Sequence, residues 1–157
     1  MLKNKLNALD QIYDVYDKFC DSLDLACKKH CAHCCTSNVT LTTLEGYKIV
    51  NRLMAAGRLH MIDQLLQADV PNRYQPQIST NRLAELYAAD AKVPEDKIGD
   101  QWEGCSLLDK DACIIYDLRP FGCRCLTSRQ NCGQTGFADI DEFTTSVNTV
   151  FLQTIEH

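Results

Sequence analysis

Ten cysteines gathered in two groups constrain this chain more than any other feature. Cys27, Cys31, Cys34 and Cys35 fall within nine residues of one another. Cys105, Cys113, Cys123, Cys125 and Cys132 form a second group, and Cys20 stands just ahead of the first. None occurs between Thr36 and Gly104, a gap that cysteines scattered through a core would not leave. What such clusters mean depends on compartment. Met1 to Asp10 contain no apolar run of the kind a secretory signal needs, and no stretch reaches the ~20 apolar residues of a membrane span. The expected compartment is therefore the cytoplasm, where thiols stay reduced. Cysteine clusters there point to metal or redox sites rather than to structural disulfides.

The length of 157 residues predicts one domain, spanning 1–157. With 24% charged and 45% hydrophobic residues, the composition excludes a disordered chain, a collagen-like repeat and a polytopic membrane protein. Only four prolines and seven glycines argue against a loop-rich disulfide knot. Sixteen basic against 21 acidic residues give a net charge of −5, without the basic excess that binding to duplex nucleic acid requires. No nucleic-acid or membrane partner is expected.

Hydrophobic spacing predicts a mainly helical protein. Leu2, Leu6, Leu9, Ile12/Tyr13, Tyr16, Phe19/Cys20, Leu23 and Ala26/Cys27 recur in steps of three and four, the stripe of one amphipathic helix from Leu2 to about Ala26. Lys28-Lys29-His30 would suit its C-terminus. Thr42-Thr43-Leu44-Glu45 reads as a capping box opening a second helix to about Ala56, with Gly57 as its stop. Leu59 to Ala68 continues as a short helix that Val70-Pro71 ends. Ser79 or Thr80 caps a further helix ending near Asp90, and Val93 to Gly104 is loop-like. The short apolar runs Cys105–Leu108 and Cys113–Tyr116 flank Asp109-Lys110-Asp111, which predicts one β-hairpin. Arg119-Pro120 begins a turn or short helix leading to Cys123. Asp139 or Asp141 caps a last helix, with Phe143, Val147, Val150, Phe151 and Ile155 at its apolar positions.

The first cluster is C-x3-C-x2-C-C, running from Cys27 to Cys35. Thiolates are soft ligands that suit zinc or iron–sulfur clusters. Cysteines a few residues apart can converge on one centre, but the adjacent Cys34 and Cys35 tend to diverge, so they serve two metals or one of them stands behind the other. In the second cluster a hairpin would set Cys105 beside Cys113, and Cys123 could close the site from the following turn. Folding the two ends together would let a metal join them. The spacing Cys27-x3-Cys31-x2-Cys34 is also that of the radical SAM motif. His33 occupies the place where that motif usually has an aromatic residue, a helix precedes it, and the chain is too short for the barrel. No G-x-S-x-G, P-loop or H-E-x-x-H pattern occurs. Arg119 and Arg124 flank Cys123 and either offset thiolate charge or bind turn carbonyls. Trp102, Tyr116 and Phe121 either shield the site or pack in the core, and Asp109 and Asp111 read as turn residues.

These motifs resemble the YkgJ-like cysteine-cluster family, the zinc- or iron-chelating CxxCxxCC domain. The residues that carry the resemblance are Cys27, Cys31, Cys34 and Cys35, then Cys105-Ser106-Leu107-Leu108, Cys113-Ile114-Ile115-Tyr116 and Arg119-Pro120-Phe121-Gly122-Cys123-Arg124. It spans about Cys27 to Cys123, and the middle matches only in helical character. Ser106 departs from the proline the family usually has after this cysteine, and Cys20, Cys125 and Cys132 fall outside the pattern. The resemblance implies metal chelation without a reaction. A related domain in flagellin lysine N-methylases is associated with an iron–sulfur cluster.

The expectation is thus a small helical domain with one short β-hairpin, stapled by a cysteine-ligated metal centre. The expected metal ligands are Cys27, Cys31, Cys34, Cys35, Cys105, Cys113 and Cys123. The expected cofactor is an iron–sulfur cluster of 4Fe–4S type in an electron-transfer or redox protein, with zinc as the alternative. If the chain is an enzyme, it is an iron–sulfur oxidoreductase. The other readings are a zinc-stapled interaction module and an accessory to a protein-modifying enzyme, either with a protein partner. His30 and His33 stay open as ligands.

Overall fold

The computed structural model describes residues 1–67, 76–95 and 104–157. Helix α1 runs Leu2–Asp21 and buries Leu9, Tyr13 and Tyr16, the middle of the predicted stripe. It stops about five residues before the expected Ala26. The Ser22 hydroxyl donates to the Phe19 carbonyl (2.6 Å), and the Ala26 N–H pairs with the Ser128 carbonyl (2.9 Å) from the far end of the chain. The backbone leaves the helix to make that tertiary bond. Lys28-Lys29-His30 consequently occupy a loop, where His30 has a left-handed φ of 78°.

Helix α2 spans Thr43–Ala55 and opens with the predicted capping box. The Thr42 hydroxyl accepts from the Glu45 N–H (3.3 Å), and Glu45 Oε2 accepts from the Thr42 N–H (2.7 Å). Gly57, at φ 68°, takes the left-handed position that ends the helix. Helix α3 is Leu59–Gln67, and the expected stop at Val70-Pro71 lies outside the described residues. Helix α4, Thr80–Ala88, is capped by Ser79 as expected. Its first N–H groups, those of Thr80 and Asn81, also donate to Glu156 at 3.0 Å each, so a carboxylate sits at the positive end of the helix.

The hairpin is present but small. Strands β1 (Leu108–Asp109) and β2 (Ala112–Cys113) pair Leu108 with Cys113 and Asp109 with Ala112. Its turn is the two-residue Lys110-Asp111, with Lys110 at φ 56°, rather than the predicted three. A single 3-10 turn at Tyr116–Leu118 leads to helix α5, Phe121–Arg124. Helix α6, Cys132–Thr135, was not expected from the sequence. Helix α7, Glu142–Glu156, is capped by Asp141, whose carboxylate accepts from the Thr144 N–H at 2.8 Å.

α1 packs on α7 and α2, α2 on α3, and α4 on α7. One core cluster gathers Leu9, Tyr13, Tyr16, Phe121 and Ile155. The Tyr16 ring meets Phe121 and Phe151 edge-on, with centroids 4.7 and 5.0 Å apart. Its hydroxyl donates to Asn148 Oδ1 at 2.7 Å. Phe121 therefore belongs to this core, not to a shield over the cysteines. Phe143 and Val150 of α7, expected to face inward, are 68% and 59% exposed. α7 packs through Val147, Phe151, Leu152 and Ile155, so the buried face lies to one side of those two residues. A second cluster, Leu53, Met61 and Ile115, joins α2 and α3 to the hairpin region. Among the described residues no helix is long and apolar enough to cross a membrane.

Candidate metal centre

All seven cysteines expected as ligands line one cavity of about 390 Å³. Its remaining wall is largely aliphatic, with Ile49, Leu53, Ile62, Leu107 and Ile115 drawn from the second core cluster. Four local structures bring the thiols there.

The loop after α1 is a pair of turns. The Cys31 N–H donates to the Lys28 carbonyl (2.9 Å) and the Cys35 N–H to the Ala32 carbonyl (3.0 Å). That loop is then stitched to the second cluster. The Cys105 N–H donates to the Cys35 carbonyl at 3.0 Å, and Thr36 pairs with Gly104 as an isolated antiparallel bridge. The hairpin sets Cys113 opposite Leu108, and the Ile114 N–H donates to the Leu107 carbonyl (3.0 Å), so Cys105 and Cys113 share one edge. Finally, α5 presents Cys123. Its Gly122 lies against the chain at Thr40, where a Cβ would stand 2.7 Å from the carbonyl oxygen. Only glycine lets α5 approach so closely and turn Cys123 into the cavity.

The opposite side of the first loop is held by the segment after α5. Ser128 is 1% exposed and central to it. Its carbonyl takes the Ala26 N–H and the Cys27 thiol (3.9 Å to Sγ), while its hydroxyl accepts the Asp139 N–H at 2.9 Å. This segment carries Cys132 as the first residue of α6, and the His33 ring packs on Gly133 beside it. Both His30 and His33 are exposed, though His30 borders the cavity.

Burial is the main cause of the shifts in thiol acidity. It raises Cys27, Cys34 and Cys113, pushes Cys35 up to about 11 and pushes Cys123 up to about 12. Neighbouring thiolates add to the shift. Cys27 feels negative charge on Cys31, Cys34 and Cys132, and Cys34 feels Cys31 and Cys132. Cys35 feels Cys34, Cys105 and Cys113, while Cys123 feels Cys105, Cys113 and Cys35.

The two arginines divide their roles. Arg119 borders the cavity, lies 3.6 Å over the Tyr116 ring, and favours the thiolates of Cys113 and Cys123. Arg124 turns to α1. It pairs with Asp17 at 2.9 Å, lies over Tyr13 and donates to the Arg119 and Asp117 carbonyls. Cys20 and Cys125 pack against the aromatic core rather than lining the cavity. Trp102 lies outside the described residues. Asp109 and Asp111 are exposed in the hairpin.

Thiolates are the donors that zinc and iron–sulfur clusters select, so the chemistry of the set fits such a group. All ten cysteines are free. Among the described residues no three Cys, His, Asp or Glu side chains form a group that could hold a metal ion as they stand. The arrangement is a thiol-lined cavity, and a metal bound there by thiolates would displace their protons. Cys132, outside the expected set, lies on a segment that Ser128 and the His33–Gly133 contact hold against the first loop. Compared with known protein families, curated proteins and solved structures, the chain matches none.

Proposed function

We propose that this chain is a cysteine-ligated iron–sulfur protein of the 4Fe–4S type that transfers electrons. The observation that carries the reading is the meeting of seven cysteines, from segments 70 or more residues apart in sequence, on one partly aliphatic cavity. Its volume of about 390 Å³ is far above the ~10–15 Å³ of such space that a single water needs, so it has room for a multi-atom cluster. Such a cluster, once bound, supplies one-electron redox chemistry. The chain's own residues hold it by thiolates, keep water off it with Leu53, Ile115 and Leu107, and offset its negative charge with Arg119 and Lys28. The likeness of its cysteine spacing to the YkgJ-like pattern supports the metal-chelating part of this reading.

The test is elemental and sulfide analysis of anaerobically purified protein. Iron with labile sulfide, and a brown colour that bleaches reversibly on reduction, is the expected result. Zinc alone would replace the reading with a zinc-stapled module, since thiolates serve both metals. A chain that takes up neither metal, even on reconstitution with iron and sulfide, would overturn both.

A further inference from the structure

Cys34 and Cys35 stand at a fork. The Cys35 carbonyl is bound by Cys105, which ties Cys35 to the hairpin side. On the other side, Ala26 and Cys27 are bound to Ser128, and His33 packs on Gly133, next to Cys132. The first loop is therefore clamped between two segments, each of which carries cysteines.

We propose that the chain holds two adjacent thiolate metal centres, one on Cys27, Cys31, Cys34 and Cys132 and one on Cys35, Cys105, Cys113 and Cys123. The proposal rests on the reading of the cavity as metal-binding and adds to it the division of the thiols and an eighth ligand. Each set has four soft donors, the complement of a 4Fe–4S cluster or of tetrahedral zinc, so the division holds for either. The split answers the geometric difficulty of two consecutive cysteines. The division gives each of them three partner thiols, on the segments to which its own stretch of the loop is bound. Cys132 does not line the main cavity; its segment reaches the first loop through Ser128 and through the His33 ring on Gly133. Cys20 and Cys125, packed in the core, belong to neither set.

The test is metal content per chain after anaerobic reconstitution of the full chain with iron and sulfide, and separately with zinc. Cys132→Ser and Cys123→Ser should each lose half of the metal the unaltered chain binds, and the double variant nearly all of it. Cys20→Ser should keep its full content. Because a variant can fail by misfolding, the second measurement uses the unaltered chain. Thiol alkylation read by mass spectrometry, before and after chelation, should show protection by metal at eight cysteines including Cys132, and no change at Cys20 and Cys125. Full metal content in Cys132→Ser, or equal alkylation of Cys132 with and without metal, would overturn the two-centre division while leaving the metal-binding reading intact. No uptake by the unaltered chain would overturn both.

Discussion

At the scale of single residues, Glu45 has consequences well beyond its helix. It is 3% exposed, and its two oxygens take four donors. Oε1 accepts the Tyr13 hydroxyl and the Phe121 N–H, each at 2.6 Å, and Oε2 accepts the Thr42 N–H and hydroxyl. One side chain thus joins α1, α2 and α5. Glu45→Ala would leave these donors buried without an acceptor, at a cost of about 3 kcal/mol or more. Glu45→Gln keeps one carbonyl oxygen and should lose less, and urea denaturation of both variants checks the order. Arg119 acts on the cavity instead. A cation beside Cys113 and Cys123 stabilises the more negative, reduced form of a bound cluster. Arg119→Gln should shift the reduction potential to a more negative value, measurable by spectroelectrochemical titration, whereas Arg124→Gln should leave it nearly unchanged because Arg124 faces Asp17.

At the scale of elements, short pieces are positioned by bonds from elsewhere in the chain. α4 has nine residues, a length that is marginal in water without tertiary support. Glu156 supplies that support by capping its exposed N-terminus from α7. Glu156→Ala should cost about 1 kcal/mol, the usual worth of a helix cap. Amide exchange should then speed up first in Thr80 to Ala88. The segment from Thr127 to Asp139 depends in the same way on Ser128. Ser128→Ala would strand the Asp139 and Gln130 N–H groups, both of which donate to its hydroxyl. On the two-centre reading it should weaken metal retention by the set that includes Cys132 more than by the set that includes Cys123.

At the scale of the whole molecule, the proposed centres join the loop after α1 to the hairpin and to the segment after α5. Metal loading should therefore stabilise the entire fold rather than one loop. Chelation should lower the melting temperature by roughly 10 °C, equivalent to several kcal/mol at about 2–4 °C per kcal/mol for a domain of this size. The metal-free chain should also be sensitive to alkali. Burial holds Cys35 protonated up to about 11 and Cys123 up to about 12, against an ordinary value of 9.0. Between those values the folded chain keeps protons that the unfolded chain has released, so stability falls as pH rises. It is full below about pH 9 and is lost progressively toward pH 12. Denaturation midpoints of the metal-free protein across that range check the sign.

The helical class, the caps and the two cysteine clusters were legible before any tertiary contact is considered, because these rest on local chemistry. A Thr42–Glu45 capping box, a glycine at a left-handed helix stop and an apolar stripe each act within a few residues of chain. What was not legible followed from distant partners. α1 ends early because Ala26 bonds to Ser128, and Phe143 and Val150 face solvent because α7 packs through its other side. The seven expected thiols were legible as a set from their spacing and residue type. The segments that carry them to one another were not. The Cys105 N–H ties the Cys35 backbone to the hairpin segment, and Ser128 holds the segment that carries Cys132 against the first loop. Backbone hydrogen bonds between segments far apart in the chain decide which thiols are neighbours, and one-dimensional spacing contains no record of them.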